Sequence, residues 1–445
     1  MRKRKLWFFS AAVLLVAVAL AACGKGGSSS PTGSGALQPI TRVNVDSSEN
    51  QATGGSSMGS SSISATGRYV AFRSVATNLI ANDTNGLSDI FLRDIEAGTT
   101  TRISESSSGT EANGSSSGPL ISSDGRYVFF ASSATNLVAN DTNLSYDIFV
   151  RDTFNNTTKR VSVDSSANQA NSDSWDVFSI SSDGRYLAFR CSATNLVASD
   201  TNGVDDIFVR DTLNNTTTRV SVGPGGAEAN GASYAPSISS DGRYVVFTSA
   251  AANLVVSDTN GVSDVFVRDT QTGNTTRVSV SSGGVEGNGT SYWPSISADG
   301  RYVAYRSAAT NLVAGDTNGK EDIFIRDTLT NTTKRISVSS SGTEADGHST
   351  AFSISADAKY VVFTSNATNL VANDTNGVSD IFVRDITNNT TKRLSVDISG
   401  TEANGVSATP SISPNNNYVA FYSSATNLVL DDTNGLDDVF RAPIQ

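Results

Sequence analysis

The residues of this sequence best suited to chemistry are oxygen donors that recur along the chain in a short Asp-Thr-Asn-Gly element. A second Asp follows the Asn by four positions, so each copy offers two carboxylates and one amide. Calcium ions prefer such hard oxygen ligands in proteins. Six copies are therefore candidate calcium-ligand sets: Asp83, Asn85, Asp89; Asp200, Asn202, Asp206; Asp258, Asn260, Asp264; Asp316, Asn318, Asp322; Asp374, Asn376, Asp380; and Asp432, Asn434, Asp438.

The same loops also fit a purely structural interpretation. An acidic ligand is missing two residues before the first Asp, where Ala81, Ala139 or Ala198 stands. A truncated ligand set predicts weak calcium binding, at about 10⁻⁴ to 10⁻³ M. In the second copy of the element, Leu144 replaces the Gly. Because Asp and Asn also bond their own backbone in turns, the structural turn stays open beside the calcium site.

The residue inventory argues against most catalytic machinery. With one histidine, His348, and two cysteines in the chain, a His/Cys zinc cluster cannot be assembled. No nucleophile-elbow motif accompanies the histidine. Glycoside chemistry needs only two carboxylates, but the available glutamates recur in a GTEANG element and are interpreted as loop structure: Glu111, Glu228, Glu286, Glu344 and Glu402. The sequence predicts a non-catalytic protein, with a glycosidase or lyase as the alternative.

Departures from the repeating pattern are better candidates for a ligand site than the pattern itself. Aromatic and acidic residues interrupt a surface rich in Ser, Gly and Asn: Trp175, Asp176, Tyr234, Tyr292 and Trp293. Aromatic side chains there suit stacking on a sugar or anchoring a peptide; packing between loops is the alternative. The departures Lys320 and Glu321 are interpreted as solvated charges.

These residues lie in a unit of about 58 residues that occurs seven times, a period typical of stacked or radial repeats. A tyrosine follows a tight turn in every unit: Tyr69, Tyr127, Tyr186, Tyr244, Tyr302, Tyr360 and Tyr418. An arginine begins a β-branched run in every unit: Arg42, Arg102, Arg160, Arg219, Arg277, Arg335 and Arg393. The arginine series starts before the first tyrosine and ends before the last one, so the chain begins with the end of a repeat.

Each unit predicts four short antiparallel strands, with an Asp-Gly hairpin between the first two. Such sheets repeated radially form a propeller. We therefore predict an all-β, seven-bladed β-propeller over 39–445, in which residues 39–45 complete the last blade and close the ring. Two long connections, the Asp-Thr-Asn-Gly loop and the linker to the next blade, are predicted to lie on one acidic face. Binding surfaces usually lie on loops of a rigid scaffold, so any site is expected on that face, at the channel mouth.

The motifs SxDGRYVAFxS, SDIFVRD and TTRVSV resemble the WD-like propeller repeat of the TolB type. The resemblance covers 39–441 and implies a propeller with a role in envelope assembly or transport. That family has six blades and a separate N-terminal α/β domain, whereas this sequence predicts seven blades and no such domain.

The N-terminal segment predicts export and attachment to a membrane. Residues 1–22 combine a basic start with an apolar stretch, as a signal peptide does. Their end resembles a lipobox, which implies lipidation of Cys23 and an outer-membrane location in the bacterial envelope. Residues 23–38 are rich in Gly and Ser and are predicted to form a flexible tether. Cys191 is expected to be a small buried residue.

The charge of the chain limits its partners. The net charge of −11 makes nucleic-acid binding improbable and favours cations or basic partners. A protein partner in the envelope is expected, with a glycan as the alternative, and the propeller is expected to be monomeric.

Overall fold

The computed structural model describes residues 39–56 and 61–444, so Cys23 and the predicted signal and tether segments lie outside the described residues. The strands, numbered β1 to β28 along the chain, form seven four-stranded antiparallel sheets. The inner strand of each sheet borders the centre of the ring: β2 (Ser62–Ile63), β6 (Ser116–Ile121), β10 (Ser174–Ile180), β14 (Ser233–Ile238), β18 (Ser291–Ile296), β22 (Ser349–Ile354) and β26 (Ser407–Ile412).

The second strand of each sheet begins at the landmark tyrosine: β3 (Tyr69–Ser74), β7 (Tyr127–Ser132), β11 (Tyr186–Cys191), β15 (Tyr244–Ser249), β19 (Tyr302–Ser307), β23 (Tyr360–Ser365) and β27 (Tyr418–Ser423). The third begins at the last Asp of the recurring loop: β4 (Asp89–Asp94), β8 (Asp147–Asp152), β12 (Asp206–Asp211), β16 (Asp264–Asp269), β20 (Asp322–Asp327), β24 (Asp380–Asp385) and β28 (Asp438–Pro443). The outer strands end at the landmark arginine: β1 (Thr41–Arg42), β5 (Thr99–Arg102), β9 (Thr157–Arg160), β13 (Thr216–Arg219), β17 (Asn274–Arg277), β21 (Thr332–Arg335) and β25 (Thr390–Arg393).

The seven-bladed propeller predicted from the repeat is confirmed, including its closure. Blade 1 contains β2–β5, and the following blades take four strands each in order up to blade 7, which contains β26–β28 and β1. Strand β1 pairs with β28, with Thr41 opposite Arg441. The inner strands of successive blades contact one another around the ring, and β26 meets β2. Within the described part of the chain the only helix is one 3-10 turn, Pro224–Gly226, and none is long and apolar enough to span a membrane.

The hydrophobic core lies between neighbouring blades. In each blade an aromatic residue of the second strand packs on a Phe of the third, with ring centroids 5.7–6.1 Å apart. The cluster around Phe72 and Phe91 also contains Tyr422 and Val439 of blade 7. Because each sheet buries both faces only when a neighbour covers it, the blades stabilise one another around the ring.

The landmark tyrosines connect the blades on the face that carries the short turns. The turn glycine Gly242 has φ +73°, and a Cβ atom at that position would collide with the ring of Tyr186 in the preceding blade. Arg185 lies over the same ring, with its Cζ 4.6 Å from the ring centroid. Blade 6 has Ala358 at this turn position, also in the left-handed region at φ +54°.

We expect Gly242→Ala to lower the free energy of unfolding by about 1–3 kcal/mol, since an L side chain in the left-handed region costs about 1–2 kcal/mol and the new methyl group must displace Tyr186. Its matched control is Ala358→Gly, which removes the same strain and should leave stability equal or higher. Urea unfolding of both variants checks this. A loss of stability in both would show that the turn conformation is not the cause.

The linker between blades is more extended over the surface than the sequence predicts. Its first half packs against the next blade: Arg93 of β4 donates from Nη1 to the carbonyl oxygen of Asp46, and Thr100 N donates to Ser47 Oγ. Only its second half, from Gln51 or the equivalent glutamate, reaches the long-loop face. Arg93, which belongs to the Arg-Asp pair at the end of β4, thus contacts the linker that comes from the preceding blade. Its neighbour Asp94 instead pairs with Arg68 of its own blade.

Candidate binding face

The recurring Asp-Thr-Asn-Gly loops surround a guanidinium group. In blade 3, Arg219 Nη1 lies 3.1 Å from Asp200 Oδ1, 3.4 Å from Asp206 Oδ2 and 2.7 Å from Glu228 Oε1. Burial raises the pKa of both aspartates. Glu228 accepts hydrogen bonds from the backbone and hydroxyl of Thr201, which hold its pKa at about 2. The landmark arginine is therefore the cation of this loop.

The amide group of the asparagine is engaged in hydrogen bonds within the protein. Asn202 Oδ1 accepts from Val204 N at 3.2 Å, and its Nδ2 donates to Asp206 Oδ2 at 2.9 Å and to the Ala229 carbonyl at 3.2 Å. In all seven copies the asparagine donates to the second aspartate in the same way. An amide nitrogen and a guanidinium thus face the carboxylates where Ca²⁺ would need oxygens.

These residues do not fit a calcium ion, and the geometry favours the turn alternative. Among residues 39–56 and 61–444, no group of three or more His, Cys, Asp or Glu is arranged to hold a metal. The recurrent glutamates act as expected of loop structure, because each joins the linker to the long loop and the arginine. Two blades use a glutamine instead, Gln51 and Gln169, which also contact the threonine of the loop.

The aromatic departures lie together on three successive inner strands. Trp175 is on β10 of blade 3, Tyr234 on β14 of blade 4, and Tyr292 and Trp293 on β18 of blade 5. Strand β14 contacts both β10 and β18. Trp175 and Trp293 are 41% and 51% exposed, respectively. We call these four residues the aromatic platform; the described inner strands of blades 6 and 7 have Thr350 and Ala408 at the corresponding position.

In blades 3 and 5, an arginine that is paired with a carboxylate packs against the ring of a platform residue. The Arg190 guanidinium lies 4.8 Å from the centroid of the Trp175 ring and forms an ion pair with Asp205. Arg306 repeats this arrangement beneath Tyr292, at 4.9 Å, and forms an ion pair with Glu321. Such contacts order an aromatic side chain and reduce the entropy it loses when a ligand binds.

Glu321 corrects the sequence interpretation, which made it a solvated charge. It is half-buried and accepts hydrogen bonds from the Tyr292 hydroxyl and from Arg306. Burial and the bond to Glu321 raise the pKa of Tyr292 to about 12. Although burial alone would raise the pKa of Glu321, the bonds from Tyr292 and Arg306 lower it. His348 lies beside this pair, its Nδ1 accepting from Glu321 N at 3.2 Å.

The backbone also departs from regular strand geometry at the platform. Every inner strand from β6 onward contains a register shift. Trp293 lies in the shifted segment of β18 with φ +53°, an uncommon conformation for a bulky residue. Its amide donates to Thr248 Oγ1 of blade 4. Asp176, the next residue after Trp175, is exposed. The ligand-binding role of the platform stays a prediction.

Sequence reasoning missed Arg190 and Arg306, and although it noted Glu321 as a departure from the repeat, it missed the pairing of these arginines with Asp205 and Glu321. Blade 1 also has an arginine at this position, Arg73, whereas the remaining blades have Ala131, Thr248, Thr364 and Tyr422. Arg73 donates to Ser88 instead of pairing with an acid. The residue type alone therefore gave no signal, and the role of Arg306 follows only from its cross-strand partner, Tyr292.

Comparison with known proteins supports the fold. No protein-family model matches the chain, and no curated protein matches its sequence. The structure is similar to an oligogalacturonate lyase solved with manganese, at 13% identity and a TM-score of 0.54, covering 92% of this chain and 97% of the lyase. It is also similar to the β-propeller domain of the Trilobed protease from Pyrococcus furiosus, at 12% identity and a TM-score of 0.52, covering 86% and 94%.

A TolB from Acinetobacter baumannii is also similar, at 15% identity and a TM-score of 0.39, covering 80% of this chain and 76% of that protein. At their low sequence identity, the similarities to the lyase and to the protease propeller show the β-propeller fold alone.

Proposed function

We propose that this protein is a non-catalytic, envelope-anchored propeller that binds a partner protein through the aromatic platform at the channel mouth. The observation that carries the proposal is the clustering of Trp175, Tyr234, Tyr292 and Trp293 on three neighbouring inner strands, supported by Arg190 and Arg306. Trp, Tyr and Arg are the residues most enriched among the energetic hot spots of protein interfaces. A role in envelope assembly or transport would follow from the resemblance to the TolB-type repeat.

The position of the N-terminus is compatible with this proposal. Thr41 lies opposite Arg441 near the end of β28, whose last residue, Pro443, pairs with Tyr418 just after a short turn. The chain therefore enters β1 from the short-turn face, opposite to the platform.

A second candidate is polysaccharide binding, favoured by the exposed indole rings of Trp175 and Trp293. A flat aromatic face offers stacking area to a sugar ring. The similarity to an oligogalacturonate lyase is compatible with a carbohydrate ligand, and a glycosidase or lyase activity would be the catalytic form of this candidate.

Photo-cross-linking in intact cells of the source bacterium tests the proposal. A Thr350→p-benzoylphenylalanine variant presents a photoreactive group on β22, next to β18, and should give a specific cross-linked protein. The matched control is Leu430→p-benzoylphenylalanine, which is 92% exposed in the wild type and lies in the long loop of blade 7.

Adding Trp175→Ala and Trp293→Ala should reduce the yield of the cross-link at least tenfold, because truncating a hot-spot aromatic residue weakens the binding free energy by about 2 kcal/mol. The melting temperature should stay within about 2 °C, because both side chains are largely exposed. Retention on immobilised polysaccharides, lost in the same double variant while no protein cross-link forms, would favour the glycan candidate. Unchanged cross-linking in the double variant would contradict the role of the platform in binding a partner protein, and unchanged polysaccharide retention would contradict the glycan candidate.

A further inference from the structure

Leu144 is held in an unfavourable conformation on the binding face. Its φ is +56°, in the left-handed region, at the position where the other six long loops have glycine. Its side chain is 85% exposed, so no packing inside the protein compensates for the strain. A strained, exposed apolar residue that departs from six glycines points to a role outside the folding of the chain.

The loop that carries Leu144 is joined directly to the aromatic platform. Tyr146 N donates to Asp173 Oδ1 at 2.9 Å, and the Tyr146 carbonyl oxygen accepts from Ser174 N at 2.8 Å. Ser174 immediately precedes Trp175 on β10. Tyr146 is itself 39% exposed. Leu144 and Tyr146 of the blade 2 loop and Trp175 at the start of β10 are thus exposed apolar residues on segments that are joined directly, and we call these three residues the seam patch.

Acidic residues border the seam patch. Asp173 and Asp176 stand on either side of Trp175 in the sequence, and Asp205 lies nearby in its ion pair with Arg190. At the position of Asp173, blades 2 and 4 to 7 have no carboxylate: their residues are Ser115, Ala232, Thr290, His348 and Val406. Of these three carboxylates only Asp205 is paired with a guanidinium, so the border carries excess negative charge that a cation on the ligand would complement.

We infer that the seam patch binds an extended segment of the partner protein, in which an apolar side chain contacts Leu144 and Trp175 and an adjacent Lys or Arg lies against Asp173 and Asp176. This inference rests on the proposed function and specifies its ligand. A polypeptide fits better than a glycan, because an exposed aliphatic side chain such as Leu144 gives a sugar no stacking surface. The partner segment is therefore both apolar and basic.

A random dodecapeptide library displayed on phage and selected on the full chain in detergent micelles tests the inference. Selected peptides should combine Leu, Phe or Trp with Lys or Arg within three residues. Leu144→Gly should reduce capture of these peptides at least tenfold and at the same time raise the melting temperature, since it relieves the left-handed strain. Asp173→Asn with Asp176→Asn should remove the preference for basic residues. Leu430→Ala, an exposed leucine on blade 7, is the matched control and should change neither property.

Three results would overturn the inference: peptides selected without basic residues, capture unaffected by Leu144→Gly, or a melting temperature that falls in that variant. Its failure can be told apart from failure of the proposed function. If the cross-link from position 350 persists in Leu144→Gly while peptide capture is unaffected, the platform binds a partner but the seam patch does not contribute.

Discussion

Replacement of Arg219 by methionine is expected to lower the free energy of unfolding by about 3–5 kcal/mol at pH 7, the usual cost of leaving buried charges unpaired. Arg219 is 9% exposed, and its loss leaves Asp200, Asp206 and Glu228 facing one another without a cation. Methionine keeps most of the volume of the side chain, so the effect measured by urea unfolding is electrostatic.

The loss should shrink as the pH falls. Burial already raises the pKa of Asp200 and Asp206 above 3.8, and removing Arg219 removes an attraction that lowers them. A carboxyl whose folded-state pKa is raised favours the folded state below its unfolded pKa and loses that contribution as the pH rises through the folded value. Arg219→Met should therefore be closer to wild type at pH 5 than at pH 7.

The matched control is Arg160→Met in blade 2, where Gln169 replaces the glutamate and contacts Thr142. With one carboxylate fewer around the missing cation, the loss should be smaller than for Arg219→Met. Equal losses in the two variants, or a loss independent of pH, would show that the arginine stabilises the blade by packing alone.

Asn44→Ala is expected to open the ring at its closure, with a loss of about 2–4 kcal/mol from a buried amide that leaves its partners unsatisfied. The Asn44 side chain is fully buried. Its Nδ2 donates to Asp438 Oδ1 at 2.6 Å and to Ser56 Oγ at 3.0 Å, and its Oδ1 accepts from Val439 N at 3.0 Å. These bonds join the N-terminal strand to β28.

Asn44→Ser is the matched control, because a serine occupies this position in the other six blades. Ser221 Oγ, for example, accepts from Ile207 N at 3.0 Å and donates to Asp206 Oδ1. This variant should lose no more than about 1 kcal/mol. Limited proteolysis should cut near residues 39–45 before global unfolding only in Asn44→Ala. Protection of that segment in both variants would show that ring closure does not depend on Asn44.

The sequence determined the architecture because the information for it is local and repeated. Alternating apolar residues, Asp-Gly turns and a constant period specify four strands in each unit, and the offset between the tyrosine and arginine series specifies that residues near 39–45 complete blade 7. The placing of candidate ligand residues on one face also followed, since the alternating direction of antiparallel strands brings the long loop and the start of the next blade to the same end.

Tertiary structure decided which charges and rings meet. Asp200, Arg219 and Glu228 are separated by many residues in the chain, and only the pairing of strands and the return of the linker bring them together, so the recurring loop resembled a metal site in the sequence. The same holds for Glu321, which lies beneath Tyr292 because β18, β19 and β20 are adjacent in the sheet. The structure also decided that Leu144 keeps the positive φ of the six equivalent glycines, because a leucine in the sequence does not itself indicate the left-handed region that L side chains disfavour.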